Sequence, residues 1–235
     1  MKKKLNSICI IPARGGSKGL KNKNILKIDN IPLIARSILY AKNSKIIDNI
    51  IVTTDSQKIA NVAKKFGAEV PFLRPKNLSG DLATTEETLK HALLKYENLK
   101  NMKFDLCVFL SPTDVFRDPL WIKEAMYKMH QNKDLESVFV GYETHKNFWH
   151  INKNNKPVRL KSWMKEYCSR QIRKKIYRED TGLCCISRAS LWRKGKRIGD
   201  NVYIIKNENE ISSIDIHEKQ DLKLANLIIK NGFEK

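Results

Sequence analysis

Residues 10–25 read IIPARGGSKGLKNKNI, and the fold is decided where this stretch changes character. Residues 5–11, which lead into it, form an apolar run that predicts a buried strand. The chain then passes through Pro12, Ala13, Arg14, Gly15, Gly16, Ser17, Lys18 and Gly19. Glycine lets a backbone turn sharply and bring its N–H groups close to a ligand. Arg14, Lys18, Lys21 and Lys23 add four cations within ten residues. A strand opening into a glycine-rich cationic loop suits a polyphosphate, which needs backbone donors for its oxygens and fixed positive charge for its anions. By composition alone the loop is equally an ordinary exposed turn. It carries neither GxxxxGK[ST] nor GxGxxG, which excludes the P-loop and the dinucleotide fingerprint.

Downstream, helical and strand patterns alternate, which predicts parallel βαβ units. Pro32 stands where a helix can begin, and Leu33, Ile34, Ile38, Leu39 and Ala41 recur at helical spacing. Asn49–Thr53 (NIIVT) predicts a second strand, Asp55 a cap for a helix over 56–66, and Gly67 its stop. A short strand is expected at 69–73 and a helix at 84–96, with Glu86 and Glu87 in its first turn. Residues 105–110 (DLCVFL) read as a central strand apolar on both faces, followed by a helix at 119–131 and a strand at 136–141. From 145 to 173 the sequence turns rich in Asn, Lys and Trp and reads as an excursion from the sheet. It returns at 182–187, adds a strand at 202–206 and closes with an amphipathic helix. The expectation is one three-layer α/β/α sandwich over 1–235, mostly parallel, with an insertion at about 142–181. Ligands then sit at the carboxyl ends of the strands, where the glycine loop, Thr54, Asp55, Arg74 and residues 111–114 converge.

The 235 residues suffice for one α/β core, and 41% hydrophobic with 30% charged residues suits a globular enzyme. No apolar run approaches the roughly 18 residues of a membrane span. The basic start before residue 5 leads into too short an apolar segment for a signal peptide. Five cysteines without CxxC spacing, Cys9 and Cys107 in apolar runs and Cys184 beside Cys185, predict reduced thiols in a cytoplasm. A net charge of +20 raises nucleic acid as a partner. The lysines are scattered through every segment and no nucleic-acid module is visible, so the expectation is a lysine-rich surface and no nucleic-acid partner.

The order IPARGGSKG, followed closely by KN, resembles the nucleotide-binding signature of the acylneuraminate cytidylyltransferases, which make CMP-sialic acids. IIVTTDSQKIANVAKKFGAEVPFLRP is similar to that family's second block, and SIDI near the C-terminus to its metal-binding segment. The resemblance implies that Arg14, Lys18 and Lys23 act on the triphosphate of CTP, as catalytic cations. It places Ala13, Gly15 and Ser17 in the nucleotide loop, Asn24 near the base, Arg74 at the cytosine end and Thr85, beside Thr84, in the following hydroxyl position. Asp215 falls at the metal position, for Mg²⁺, with a helix cap as its other reading. It also implies a homodimer through the excursion, with Trp149 and Trp163 at an interface or in a small satellite core.

This chain departs from the family on the acceptor side. The usual QPTSPLR is SPTDVFR at 111–117, so Ser111 replaces the glutamine that helps hold the sugar acid. The common SIDID ends here in His217, a poor Mg²⁺ ligand. Asp114 is a candidate replacement ligand, or a turn residue before the next helix. Arg117 and Arg178 are candidates for the sugar carboxylate, since a guanidinium pairs with it, and Lys146 is a further one. The implied reaction is CMP transfer from CTP to a sialic-acid-like nonulosonic acid. The alternatives are a cytidylyltransferase for KDO or another 2-keto sugar acid, and a homologue that binds CTP without turnover.

Overall fold

A computed structural model describes residues 5–17 and 19–232. In chain order the elements are β1 Ser7–Pro12, β2 Lys27–Ile28, β3 Ile31–Pro32, α1 Leu33–Ser44, β4 Asn49–Thr53, α2 Gln57–Lys65, α3 Thr85–Lys100, β5 Leu106–Phe109, α4 Trp121–Gln131 and β6 Ser137–Thr144. There follow β7 Trp149–Ile151, β8 Pro157–Arg159, β9 Ile176–Glu179, β10 Cys185–Arg188, α5 Ala189–Arg193, β11 Val202–Asn207 and α6 Lys219–Lys230. The central sheet runs β11-β6-β10-β5-β1-β4, with β9 also paired to β6. β1 is parallel to β4 and β5, and β11 to β6, while β10 lies antiparallel between β5 and β6. β9 is antiparallel to the outer part of β6. Reversed β9 and β10 aside, the strands of this sheet share one direction, so the sheet is mostly parallel.

The sheet is central because its strands are apolar on both faces. In β1, Cys9 and Ile11 enter one core with Ile34 and Ile38 of α1, Ile59 of α2 and Ile122 of α4. Ile8 and Ile10 enter the other with Leu89, Leu93 and Tyr96 of α3 and Trp192 of α5. β5 alternates in the same way, Leu106 and Val108 against Cys107 and Phe109. Helices thus cover both faces, giving the expected three layers. The cysteines are free, and burial pushes the thiols of Cys9, Cys107, Cys184 and Cys185 upward.

Several local expectations need correction. Ser56, not Asp55, caps α2, accepting from the Ile59 amide at 3.5 Å. The strand expected at 69–73 reduces to two isolated parallel bridges, Ile51 to Glu69 and Thr54 to Leu73. Pro71, between them, cannot donate to a ladder. The helix expected from 119 begins at Trp121, and β6 runs on to Thr144. The hairpin of β2 and β3 is not in the sequence reading; its turn, Asp29 and Asn30, sits at φ 47 and 62, a left-handed pair these residue types tolerate. The excursion folds as the β7–β8 hairpin before β9 rejoins the sheet.

One buried ion pair ties α3 to α5. Glu97 has a fully buried side chain and accepts from Arg193 Nη2 at 2.5 Å, Lys103 Nζ at 3.0 Å and the Phe104 amide at 3.1 Å. Burial pushes its carboxyl up, but the Arg193 donors and the amide outweigh that and hold it below the usual range. Glu97→Gln should cost about 3 kcal/mol at neutral pH, the low end for a broken buried pair, because Arg193 keeps some solvent. A carboxyl lowered in the folded state stabilises above its unfolded pKa and loses that contribution as pH falls through the folded value. The gap between wild type and Glu97→Gln in urea melts should therefore close in acid.

Candidate active site

The opening strand delivers its loop to the carboxyl edge of the sheet and is tethered there. The Ala13 amide donates to the Thr53 carbonyl at 3.0 Å, extending the β1–β4 pairing. The Gly15 amide donates to Asp55 Oδ1 at 2.8 Å. Asn22, at φ 56, turns the chain into the 3₁₀ segment Lys23–Ile25. Asn24 is buried there and donates from Nδ2 to the Arg14 carbonyl at 2.9 Å, closing the loop on itself. Gly19 is required by close approach, since a Cβ there would stand 2.7 Å from the His217 carbonyl oxygen.

A cavity of about 560 Å³ opens over this loop. Arg14, Ser17, Lys23 and Asn24 line one side; Arg74, Thr84, Thr85 and Thr88 another; Ser111, Thr113 and His217 close it. Burial pulls the Lys23 ammonium downward against the opposing pull of Asp215. Arg14 Nη1 pairs with Asp81 Oδ1 at 2.8 Å. Arg74 is buried; its Nη1 donates to Thr88 at 3.3 Å, while Nε and Nη2 are shielded from solvent without a hydrogen-bond partner. Burial pulls this guanidinium downward too, with Asp55 resisting. A buried arginine with unused donors is costly unless a ligand supplies acceptors.

Asp114 and Asp215 come together across an antiparallel bridge, reinforced by the Ile216 amide donating to the Thr113 carbonyl at 3.1 Å. Asp215 Oδ2 lies 2.7 Å from His217 Nε2, and its Oδ1 is enclosed with no hydrogen-bond partner. Burial, then the nearby Asp215 charge, pushes the Asp114 carboxyl up to about 6 despite Arg117. Two crowded carboxylates with an orphaned oxygen suit a divalent cation. Among the described residues no cluster of three or more His, Cys, Asp or Glu has metal-holding geometry.

The residues proposed for the acceptor fare unevenly. Ser111 lines the cavity and its Oγ lies 2.9 Å from Thr113 Oγ1. Arg117 must be corrected as a sugar-carboxylate ligand. Its Nε donates to the Leu183 carbonyl at 2.7 Å, and its Nη2 to the carbonyls of Gly182, at 3.0 Å, and Ser111. It thereby clamps the 111–117 loop to the 182–183 turn. Arg178 forms a two-point pair with Asp180, at 2.6 and 2.9 Å. Lys146 is solvent-exposed on the excursion; neither it nor Arg178 lines this cavity among the described residues. Ala13 lies buried beneath the loop. Lys18 lies outside the described residues.

Sequence reasoning missed Asp81, Thr88 and the structural use of Asp55. Thr88 had a signal: Thr84 and Glu87 make a capping box, which fixes the start of α3 and turns Thr84, Thr85 and Thr88 toward the cavity. Asp81 sits in a loop with no periodicity to reveal its Arg14 contact. The carboxylate pair yields a prediction with a definite sign. In a carboxyl ¹³C NMR titration, Asp114 should titrate near pH 6, and Asp215→Asn should move it downward by removing a like charge. A value at the ordinary aspartate position in wild type would contradict this geometry.

A family model described as cytidylyltransferase matches residues 8–223. A CMP-N,N'-diacetyllegionaminic acid synthase from Campylobacter jejuni is 33% identical over 225 residues, covering 94% of each chain. A pseudaminic acid cytidylyltransferase from Campylobacter jejuni is 30% identical over 240 residues, covering 98% of this chain and 99% of the relative. Among solved structures, a CMP:2-keto-3-deoxy-manno-octonic acid synthetase complexed with CTP superposes with a TM-score of 0.71, covering 97% of this chain and 99% of the other; at 12% identity it is a likeness of fold. The matched span runs from the opening strand through the glycine loop and the Asp215 segment to the last helix, and the chain belongs to the cytidylyltransferase family, as a nucleotidyltransferase.

Proposed function

We propose that this enzyme transfers CMP from CTP to the anomeric hydroxyl of a nonulosonic acid of the sialic, legionaminic or pseudaminic type. The observation that carries the reading is a single cavity lined at once by Arg14 and Lys23 and by the buried, under-used guanidinium of Arg74. Arg14, Lys23 and the loop amides suit the triphosphate, and Arg74 suits the acceptor edge of cytosine. Asn24 and Thr85 frame the nucleoside between them, and Ser111 faces the acceptor. The named relatives act on legionaminic and pseudaminic acids, which supports an acceptor of that class.

In the reaction the acceptor oxygen bonds to the α-phosphorus, the α–β bridging bond breaks, pyrophosphate leaves and the hydroxyl proton passes to solvent. The side chains do little covalent work; alignment and charge compensation carry the rate. Lys23 and Arg14 neutralise negative charge that builds on the phosphate oxygens. Asp215 and Asp114 would hold Mg²⁺, which polarises phosphate oxygens. His217, with its imidazole on Asp215, steadies that carboxylate rather than replacing it. Arg178, paired with Asp180, remains a candidate for the sugar carboxylate, reached by exchanging one anion for another. We also read the excursion as the surface for a homodimer, supported by exposed Trp149, Ile151 and Ile172.

Pyrophosphate release tests this directly, with CTP, Mg²⁺ and a panel of nonulosonic acids that includes KDO. Release with at least one nine-carbon acid is expected, and Arg14→Ala or Lys23→Ala should each lower kcat about 10²-fold, the usual cost of one transition-state charge contact. Release with KDO alone would move the acceptor class. No release with any acid, while CTP still binds, would leave a nucleotide binder without turnover.

A further inference from the structure

The carboxylate of Asp55 serves two parts of the cavity at once. Its Oδ1 accepts the Gly15 amide at 2.8 Å, at the start of the glycine loop. The same oxygen stands 4.0 Å from Arg74 Nη2. Asp55 itself does not line the cavity among the described residues, so it acts from behind. Ser56 caps α2, which relieves Asp55 of the capping task its position suggests. The loop is also tightly seated here, since a Cβ on Gly15 would meet Ser56 Cβ at 3.0 Å.

We infer that Asp55 is a positioning residue, whose single carboxylate oxygen fixes the phosphate loop against the base-reading arginine. The inference rests on the cytidylyltransferase reading of this cavity. A guanidinium has donors alone. Cytosine offers acceptors at O2 and N3, whereas uracil carries a hydrogen on N3. An Arg74 held in place therefore favours cytosine, because uracil would set donor against donor. The negative charge on Asp55 keeps Arg74 directed and partly compensated, and its hydrogen bond holds Gly15 so that base and triphosphate are gripped at a fixed separation. Asparagine at this position keeps the shape and an acceptor for the Gly15 amide, but removes the charge that Arg74 faces.

The test compares CTP and UTP affinities of the full chain by calorimetry, for wild type, Asp55→Asn and Asp55→Ala, with Tm recorded for each. Wild type should prefer CTP. Asp55→Asn should stay folded, with a modest drop in Tm from the less compensated Arg74, and lose about tenfold of the CTP-over-UTP preference, the worth of one misdirected hydrogen bond. Asp55→Ala should lose the same preference and weaken both nucleotides further through the loop. A merely structural role would lower Tm and weaken both nucleotides alike. An unchanged CTP-over-UTP ratio in Asp55→Asn overturns the inference, and that variant stays informative should the alanine form fail to fold. A wild-type protein that binds UTP as tightly as CTP contradicts the cytidylyltransferase reading itself, before any variant is measured.

Discussion

The site depends on one constraint: a glycine-rich segment must be held still. Glycine gives the loop its sharp path but loses the most conformational freedom on ordering, so an untethered loop would make a poor anion site. Here the pairing continues one residue past β1, from the Ala13 amide to the Thr53 carbonyl, and the Asp55 side chain then takes the Gly15 amide. Asn24 binds the loop back to the Arg14 carbonyl. The central strands beneath are buried on both faces, so the tether is fixed to the packed core of the sheet.

The second wall comes from distant sequence. The bridge between Asp114 and Asp215 brings the end of the chain against the loop after β5. A separate apolar cluster holds it there, in which Ile216 and Ala225 pack with Leu20, Ile28, Leu33, Val115 and Phe116. Packing of the C-terminal segment thus places Asp215 beside Asp114. The Lys23 ammonium feels both the cation Arg14 and the carboxylates Asp215 and Asp114.

Much of this was legible in the sequence, for physical reasons that differ by region. β4 is legible to the residue because its β-branched run over 50–53, buried from Ile51 onward, stands between polar turn residues. Arg14 and Ser17 follow closely on β1, Lys23 and Asn24 open the 3₁₀ segment, Thr85 opens α3 and Arg74 follows the bridge of Thr54 to Leu73, so local sequence places each at the one cavity they line. Asp55 was misread because a cap and a loop tether look alike when the partner lies 40 residues away. Arg117 was misread for a related reason. An arginine aimed at a ligand and one that holds three carbonyls share the same local sequence. Its acceptors at Gly182 and Leu183 lie across the excursion, beyond any periodicity. Gly182 shows the same long reach, since any side chain there would overlap the Asp114 carboxylate.

The central claim is that the tethered cationic loop seats a triphosphate while Arg74 faces the base. A crystal structure with CTP tests it most directly. The account predicts phosphate oxygens against Arg14, Lys23 and the loop amides, and the cytosine edge within hydrogen-bond reach of Arg74. A triphosphate seated instead in the cavity lined by Tyr40, Phe116 and Trp121, with Arg14 still paired to Asp81, would contradict it.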